Sequence, residues 1–320
     1  MSAPVEVCRR TWEADDLMRR RPPQIGHANK KIVYDLACPP GSTHAGTIVY
    51  SRWTAGSLPT TVSSPRVLAV DLRPGFFSYP KTTVSDRPVH WHLNFADAHL
   101  FYGYGMSLFA QDELQVAEHP ALGAVREALL ADQVAECAPL TEDVDGPTPV
   151  LVRGVERRCD IRTGGLYGYR FGLATPEHLR AATQRLHPPT VSNILALAAP
   201  SSGRGAYTEA QVARILLTAW AGFVAAGTES GGPITIHTGF WGGGVFGGNR
   251  ILMTALQLIA AHLAGTRRLV FYVGLRPADE NAFSEGSALA DTFMAECRTT
   301  RELIAAVVEQ RLMWGKGEGD

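Results

Sequence analysis

Residues Thr238 to Asn249 read T-G-F-W-G-G-G-V-F-G-G-N, and an apolar helix pattern begins directly after them. Glycine admits positive φ and lets backbone N–H groups approach an anion with no Cβ in the way. Ile251, Leu252, Ala255, Leu256, Ile259 and Leu263 then recur at helical spacing, which aims a positive helix end at the same anion. Upstream, Pro233-Ile-Thr-Ile-His237 has the composition of a short buried strand. Strand, glycine loop and helix in this order make an arrangement suited to a diphosphate. A glycine cluster alone fits a ligand-free turn equally well, so the reading needs a second observation.

The 320 residues are 45% hydrophobic, enough for one large domain or two small ones. A formal charge of −1 argues against bulk electrostatic binding to nucleic acid or membrane. Apolar runs fall short of ~18 residues, so no transmembrane helix is expected. Arg9, Arg10, Glu13, Asp15 and Asp16 are followed by no apolar stretch, unlike a secretory signal. Cys8, Cys38, Cys137, Cys159 and Cys297 lie far apart without a C-x-x-C pair, which reads as five reduced thiols in a cytoplasm.

The first ~25 residues, ending in Arg19-Arg-Arg-Pro-Pro23, read as a charged helix or arm outside the core. Strands are expected at Lys31–Leu36, Thr47–Trp53, Arg66–Asp71, His90–Phe95, Pro149–Gly154, Pro233–His237 and Leu269–Val273, with Thr60–Pro65 a loop. Gln111–Glu136 is helical with a break at Pro120, beyond which Leu122, Val125 and Leu129 point inward. Thr208 and Gln211 form a capping box ahead of Val212, Ile215, Leu216, Ala219 and Phe223. Thr300–Trp314 closes the chain as an amphipathic helix. Strands alternating with helices imply an α/β sheet covered on both faces.

The second informative stretch is Asn94-F-A-D-A-H-L-F-Y-G-Y-G-M-S-L-F-A-Q-D-Glu113, a strand end, an aromatic-rich turn and a polar triplet at a helix start. Acidic residues in a first helical turn usually offset the macrodipole, so Asp112 and Glu113 taken alone are capping residues. A phosphate loop elsewhere in the chain changes that balance.

These two stretches together resemble the poly(ADP-ribose) glycohydrolases, a branch of the macrodomain family. Phe95-Ala96-Asp97 and Gln111-Asp112-Glu113 fall where that family has F-A-N and Q-E-E, and Thr238–Asn249 is similar to its T-G-x-W-G-x-G-x-F-G-G-D segment. The similarity runs from about Val89 to Ala306. It implies a macrodomain-like three-layer α/β/α sandwich with a mixed sheet, residues 1–60 being an N-terminal extension on or beside the core and 61–320 the glycohydrolase domain. It also implies release of ADP-ribose from an ADP-ribosylated protein, nucleic acid or small molecule, without a metal or cofactor.

Position by position, Glu113 corresponds to the general acid and then base, and Asp112 to the neighbour that positions the cleaved ribose. Gln111 would support that loop, and Asp97 stands where an asparagine contacts the ribose, beside Phe95 and Gly103. Gly239, Phe240, Gly242, Gly243, Gly244, Val245, Phe246 and Gly247 belong to the diphosphate loop, with Phe246 against the distal ribose. Gly164, Tyr167 and Tyr169 lie in the segment that supplies an adenine-stacking tyrosine, and Tyr167 is the choice. The chemistry is consistent with these roles: an oxocarbenium-like state calls for a nearby carboxylate, and the leaving group for a proton.

The departures are specific. The family's G-G-G becomes Phe101-Tyr102-Gly103 followed by Tyr104, so aromatics either narrow the pocket or stack on something planar. Phe240 replaces an asparagine and Asn249 an acid. A mono-ADP-ribosyl substrate is therefore as compatible as the polymer. A catalytically silent ADP-ribose reader and an N-ribosyl hydrolase acting on NAD or a related nucleotide are the alternatives. His90 and His92 read as ordinary strand histidines, Trp241 as a brace of the glycine loop, and Arg157, Arg158, Arg162 and Arg170 as a solvated basic face.

Overall fold

The computed structural model describes residues 2–62, 68–80, 87–200 and 203–315. The strands are β1 (Glu6–Glu13), β2 (Thr47–Trp53), β3 (Ala69–Pro74), β4 (Val89–Ala96), β5 (Glu142–Asp143), β6 (Gly146–Pro147), β7 (Val150–Ile161), β8 (Thr183–Ala198), β9 (Ile234–Gly239) and β10 (Arg268–Val273). The helices are α1 (Ala14–Arg20), α2 (Ala28–Ala37), α3 (Gln111–Glu118), α4 (Ala121–Asp132), α5 (Arg170–Leu173), α6 (Pro176–Ala182), α7 (Glu209–Ser230), α8 (Arg250–Ala264), α9 (Pro277–Glu296) and α10 (Thr300–Glu309).

Eight strands form one mixed sheet in the order β1-β2-β7-β8-β4-β9-β10-β3. The pairs from β1 to β8 are antiparallel, and those from β8 through β4, β9 and β10 to β3 are parallel. The parallel half brings the C-terminal ends of β4 and β9 to one edge, where loops build sites in open α/β sheets.

Alternation along the strands sorts side chains between two helical layers. Trp91, Leu93, Leu195, Leu197, Ile236 and Phe271 pack with the apolar stripes of α7, α8 and α10. Val150, Val152, Ile194, Ala196 and Ala96 face α1 and α4, where Leu122, Val125 and Leu129 are buried as expected. The result is the three-layer sandwich that the alternation of elements implied. The Thr208–Gln211 capping box is formed in both directions.

Several expectations are corrected. The N-terminal residues are not an arm outside the core: β1 is the edge strand, paired with β2 from Glu6↔Trp53 to Glu13↔Thr47. Lys31–Leu36 is not a strand but lies in α2, whose Asn29, Lys30, Val33 and Ala37 are buried at helical spacing. His27 starts that helix by accepting from Asn29 N at 3.3 Å. The strand expected from Arg66 begins at Ala69, and residues 63–67, including part of the expected Thr60–Pro65 loop, lie outside the described residues. The last helix stops at Glu309, and Trp314 stacks on Tyr207 with ring centroids 4.3 Å apart.

Cys8 and Cys137 are joined as a disulfide across 129 residues, so the five cysteines are not all free thiols and no longer argue for a reducing compartment. By length and composition the 22-residue α7 could cross a membrane, against the expectation from apolar runs. Here Val212, Ile215, Leu216, Trp220 and Phe223 are buried in the core, which explains its composition.

Candidate active site

The β4 strand ends at Ala96, and the chain returns to its flank as α3. Gln111 ties the two together: its Oε1 accepts from Phe95 N at 2.7 Å and its Nε2 donates to Leu93 O at 3.0 Å. Gln111 thus fixes the helix start against the strand. Asp112 and Glu113, next along, are buried at 6% and 5% exposure, too low for solvated capping residues. Asn94 Nδ2 donates to Asp112 Oδ1 at 3.0 Å. Ala110 N donates to Glu113 Oε2 at 2.9 Å, half of a capping box whose N-cap has no side-chain acceptor to return the bond. The other oxygen, Oε1, lies against Gly103, where any Cβ would overlap it. A larger residue at 103 would displace that carboxylate.

Burial raises the proton affinity of both acids. Asp112 is pushed up by desolvation and by the neighbouring Glu113 charge, with Asn94 and Lys30 opposing. Glu113 is also raised by desolvation, against Lys30 and the amides of Glu113 and Ala110. Burial outweighs the helix N-terminus here, a contest that sequence left open. Asp97 adds its charge to both acids. Its own Oδ1 accepts from His99 N at 2.9 Å, closing the turn after β4. A protonated carboxyl beside an ionised one is the pair needed to give a proton and to face a developing cation.

The aromatic replacements divide in a way the sequence did not reveal. Phe101, at φ 55°, and Tyr104 turn into the core, with Tyr104 Oη donating to Glu127 Oε1 at 2.7 Å. Both are buried, so neither offers an exposed ring face. Tyr102 alone is half exposed, with the Arg126 guanidinium 5.7 Å over its ring.

The glycine loop leaves β9 at the same edge. A Cβ on Gly239 would meet the Phe95 ring at 3.6 Å, so the loop and the β4 end are neighbours. Within the loop Gly243 N donates to Phe240 O, and Gly248 N to Gly242 O, both at 2.8 Å. Gly242 and Gly247 take φ of 74° and 68°, which glycine allows. Trp241 is buried and donates Nε1 to Leu197 O at 3.3 Å, bracing the loop. Among the described residues, the amides of Gly244, Val245 and Phe246 donate to no protein acceptor, leaving consecutive N–H groups for an anion. Asn249 caps α8 by accepting from Leu252 N at 3.1 Å, and its Nδ2 donates to Met313 O at 3.0 Å, a bond that the expected acid could not make. Phe240 stacks edge-on against Phe271 under the Arg250 guanidinium.

Tyr167 reaches the loop: its hydroxyl lies 3.6 Å from where a Gly244 Cβ would stand. Its ring is 5.8 Å from that of Phe76, which is half exposed. Tyr169 is exposed, and Gly164 has nothing near its Cα face. Phe246 is partly buried against the core. Contacts thus link Gln111 and Asp112 to the end of β4, Glu113 to Gly103, Gly239 to Phe95, and Gly244 to Tyr167. Phe76 was missed because it sits in an irregular segment after β3 with no periodicity to read. Lys30 was missed because its helix had been read as a strand.

One side expectation changes. Arg157 and Arg158 are not a solvated face: Arg157 is buried and pairs with Glu118 at 2.9 Å, and Arg158 with Glu156 at 2.5 Å. His90 and His92 are strand histidines of β4 as expected, the half-buried His90 with its Nδ1 2.8 Å from His237 Nε2 and the buried His92 stacked between Tyr79 and His237. Desolvation pushes His237 and His119 down to about 3, which keeps them neutral.

A mixed sheet with an acid pair at one helix start and a glycine loop leading into another helix defines a macrodomain-type α/β protein. Residues 133–279 match the family model described as poly(ADP-ribose) glycohydrolase (PARG), Macro domain fold. That matched segment contains the glycine loop but not α3, and it is less than half of the chain. Among solved structures the chain is similar to the Thermomonospora curvata poly(ADP-ribose) glycohydrolase bound to the inhibitor ADP-HPD, at 15% identity over 86% of this chain and 84% of that one, TM-score 0.44. It is similar to the Deinococcus radiodurans enzyme in complex with ADP-ribose at 14% identity, over 88% and 95%, TM-score 0.44. A Trypanosoma brucei macrodomain in complex with ADP gives 11% identity, over 86% and 97%, TM-score 0.37. No curated protein matches by sequence.

Proposed function

We propose that this chain is an ADP-ribosyl glycohydrolase. The observation that carries the reading is a buried Asp112–Glu113 pair at the same sheet edge as a glycine loop with three open amides. The amides of Gly244, Val245 and Phe246 and the start of α8 hold the diphosphate, and Tyr167 with Phe76 flanks the adenine. Glu113 gives its proton to the leaving atom as the bond to ribose C1 breaks. Water then adds to C1 and returns a proton to Glu113, releasing ADP-ribose. Asp112 positions the ribose and offsets the charge developing on it.

Phe101 and Tyr104 turn inward, so only Tyr102 meets the leaving group, which is compatible with either a mono-ADP-ribosyl adduct or a polymer end. A silent ADP-ribose reader is favoured by one observation, that Glu113 is already engaged by Ala110 N. Glu113→Gln separates the two: the glycohydrolase reading expects loss of at least ~10³ in ADP-ribose release with affinity within about threefold. Mass spectrometry over mono-ADP-ribosylated peptides, ADP-ribosylated nucleobases and polymer would read it. Binding without turnover of any of these by the unmutated protein supports the reader.

A further inference from the structure

Lys30 takes no part in the roles above, yet it lies behind them. Its helix belongs to a segment that grips the loop against Glu113 from the far side. Gln24 N donates to Tyr104 Oη at 2.6 Å, and Gly26 N and His27 N donate to Gly105 O at 3.2 and 2.9 Å. Lys30 Nζ donates to Tyr104 O at 3.0 Å. The same segment also holds the turn after Tyr167, since Asn29 Nδ2 donates to Phe171 O at 2.7 Å and Ala174 O at 3.0 Å. One stretch of seven residues, 24–30, thus joins both walls of the site.

Lys30 is 2% exposed, its ammonium 5.1 Å over the Phe109 ring and 5.6 Å from that of Phe171. Among the described residues it has no carboxylate within ion-pair distance. A methionine would fill this apolar slot without the desolvation that a buried cation suffers. What the ammonium adds is a donor to Tyr104 O and a positive charge that interacts with those of Glu113 and Asp112.

On the glycohydrolase reading, we propose that Lys30 is a positioning residue of the hydrolytic site: its ammonium fixes residues 103–105 against Glu113 and balances the charge of the Asp112–Glu113 pair. The surroundings support this division. Burial pushes Lys30 down to about 8, and Glu113 and then Asp112 hold it up. Asn94 and Asp97 at the end of β4 and the amides of Ala110 and Glu113 also act on the acid pair, while Arg126 of α4 senses Asp112. Tyr104 Oη is committed to Glu127. Farther along α2, Arg158 of β7 acts on Tyr34 and Cys38, and the His27 ring is occupied by Asn29 N.

The test uses the full chain labelled with 13C at Asp and Glu side-chain carboxyls, titrated by NMR as wild type, Lys30→Met and Lys30→Arg. In Lys30→Met the Asp112–Glu113 titration should move to higher pH by about one unit, and in Lys30→Arg it should stay near wild type. An unmoved titration in folded Lys30→Met overturns the proposal. Should Lys30→Met fail to fold, the reciprocal measurement decides: in Glu113→Gln the Lys30 ammonium should titrate below its wild-type value, and no change overturns the proposal. Turnover adds a separate readout, kcat falling on the order of tenfold in Lys30→Met and recovering in Lys30→Arg. Loss of the glycohydrolase reading would appear as turnover retained in Glu113→Gln, which leaves these titrations independent.

Discussion

Asp112 and Glu113 are adjacent carboxyls held out of water, and their chemistry follows from that placement. Because burial raises both, the folded protein keeps protons that the unfolded chain releases at ordinary carboxylate values near 4. Stability from these groups is therefore fully present below about 4 and is lost as pH rises through their folded values. Asp112→Asn keeps an acceptor for Asn94 and removes the charge, so it should be more stable than wild type by about 1–2 kcal/mol at pH 8, with no gain at pH 4. Urea denaturation at the two pH values checks this, and an equal or reversed difference would place the proton elsewhere. From sequence the acids were visible as a pair at a helix start. Their burial was not, because it depends on Asn94, on Gly103 and on a lysine eighty-odd positions upstream in another element.

At the scale of elements, legibility followed local pattern. The helices α3, α4 and α8 and strands β2, β4, β9 and β10 carried clear periodicity or caps and were expected where they stand. The 16-residue β8 went unread because Pro188 and Pro189 interrupt it, and proline demotes a strand reading. The strand expected at Lys31–Leu36 failed because Ile32 and Val33 favour strands locally, whereas the cap at His27 and the apolar slot under Val33 and Ala37 favour helix. The glycine loop, in contrast, was legible because its glycines meet separate physical demands. A Cβ at Gly242 would come within 2.7 Å of Pro200, at positive φ, whereas Gly244 has only the Tyr167 hydroxyl at 3.6 Å. Gly242→Ala should therefore lower the melting temperature, while Gly244→Val should leave it unchanged and weaken ADP-ribose binding about tenfold by crowding the amides. Calorimetric titration with thermal melts resolves the two, and equal effects on folding and binding in both variants would contradict the division of roles.

For the molecule as a whole, topology does what the sequence could not announce. The mixed sheet places the ends of β4 and β9 side by side, so residues more than a hundred positions apart share one edge. The N-terminal residues close the opposite side of the sheet through β1 and, through 24–30, support the loop at the site. The expectation of a charged helix or arm outside the core missed this because charge-rich composition hides an edge strand, whose outward residues are polar by design against aggregation. The disulfide between Cys8 and Cys137 adds a covalent tie between β1 and the turn after α4.

The most direct measurement is a crystal structure of Glu113→Gln soaked with ADP-ribose. The account predicts the diphosphate on the amides of Gly244, Val245 and Phe246, with ribose C1 facing residue 113. Ligand bound elsewhere, or a ribose turned away from that side chain, would contradict it.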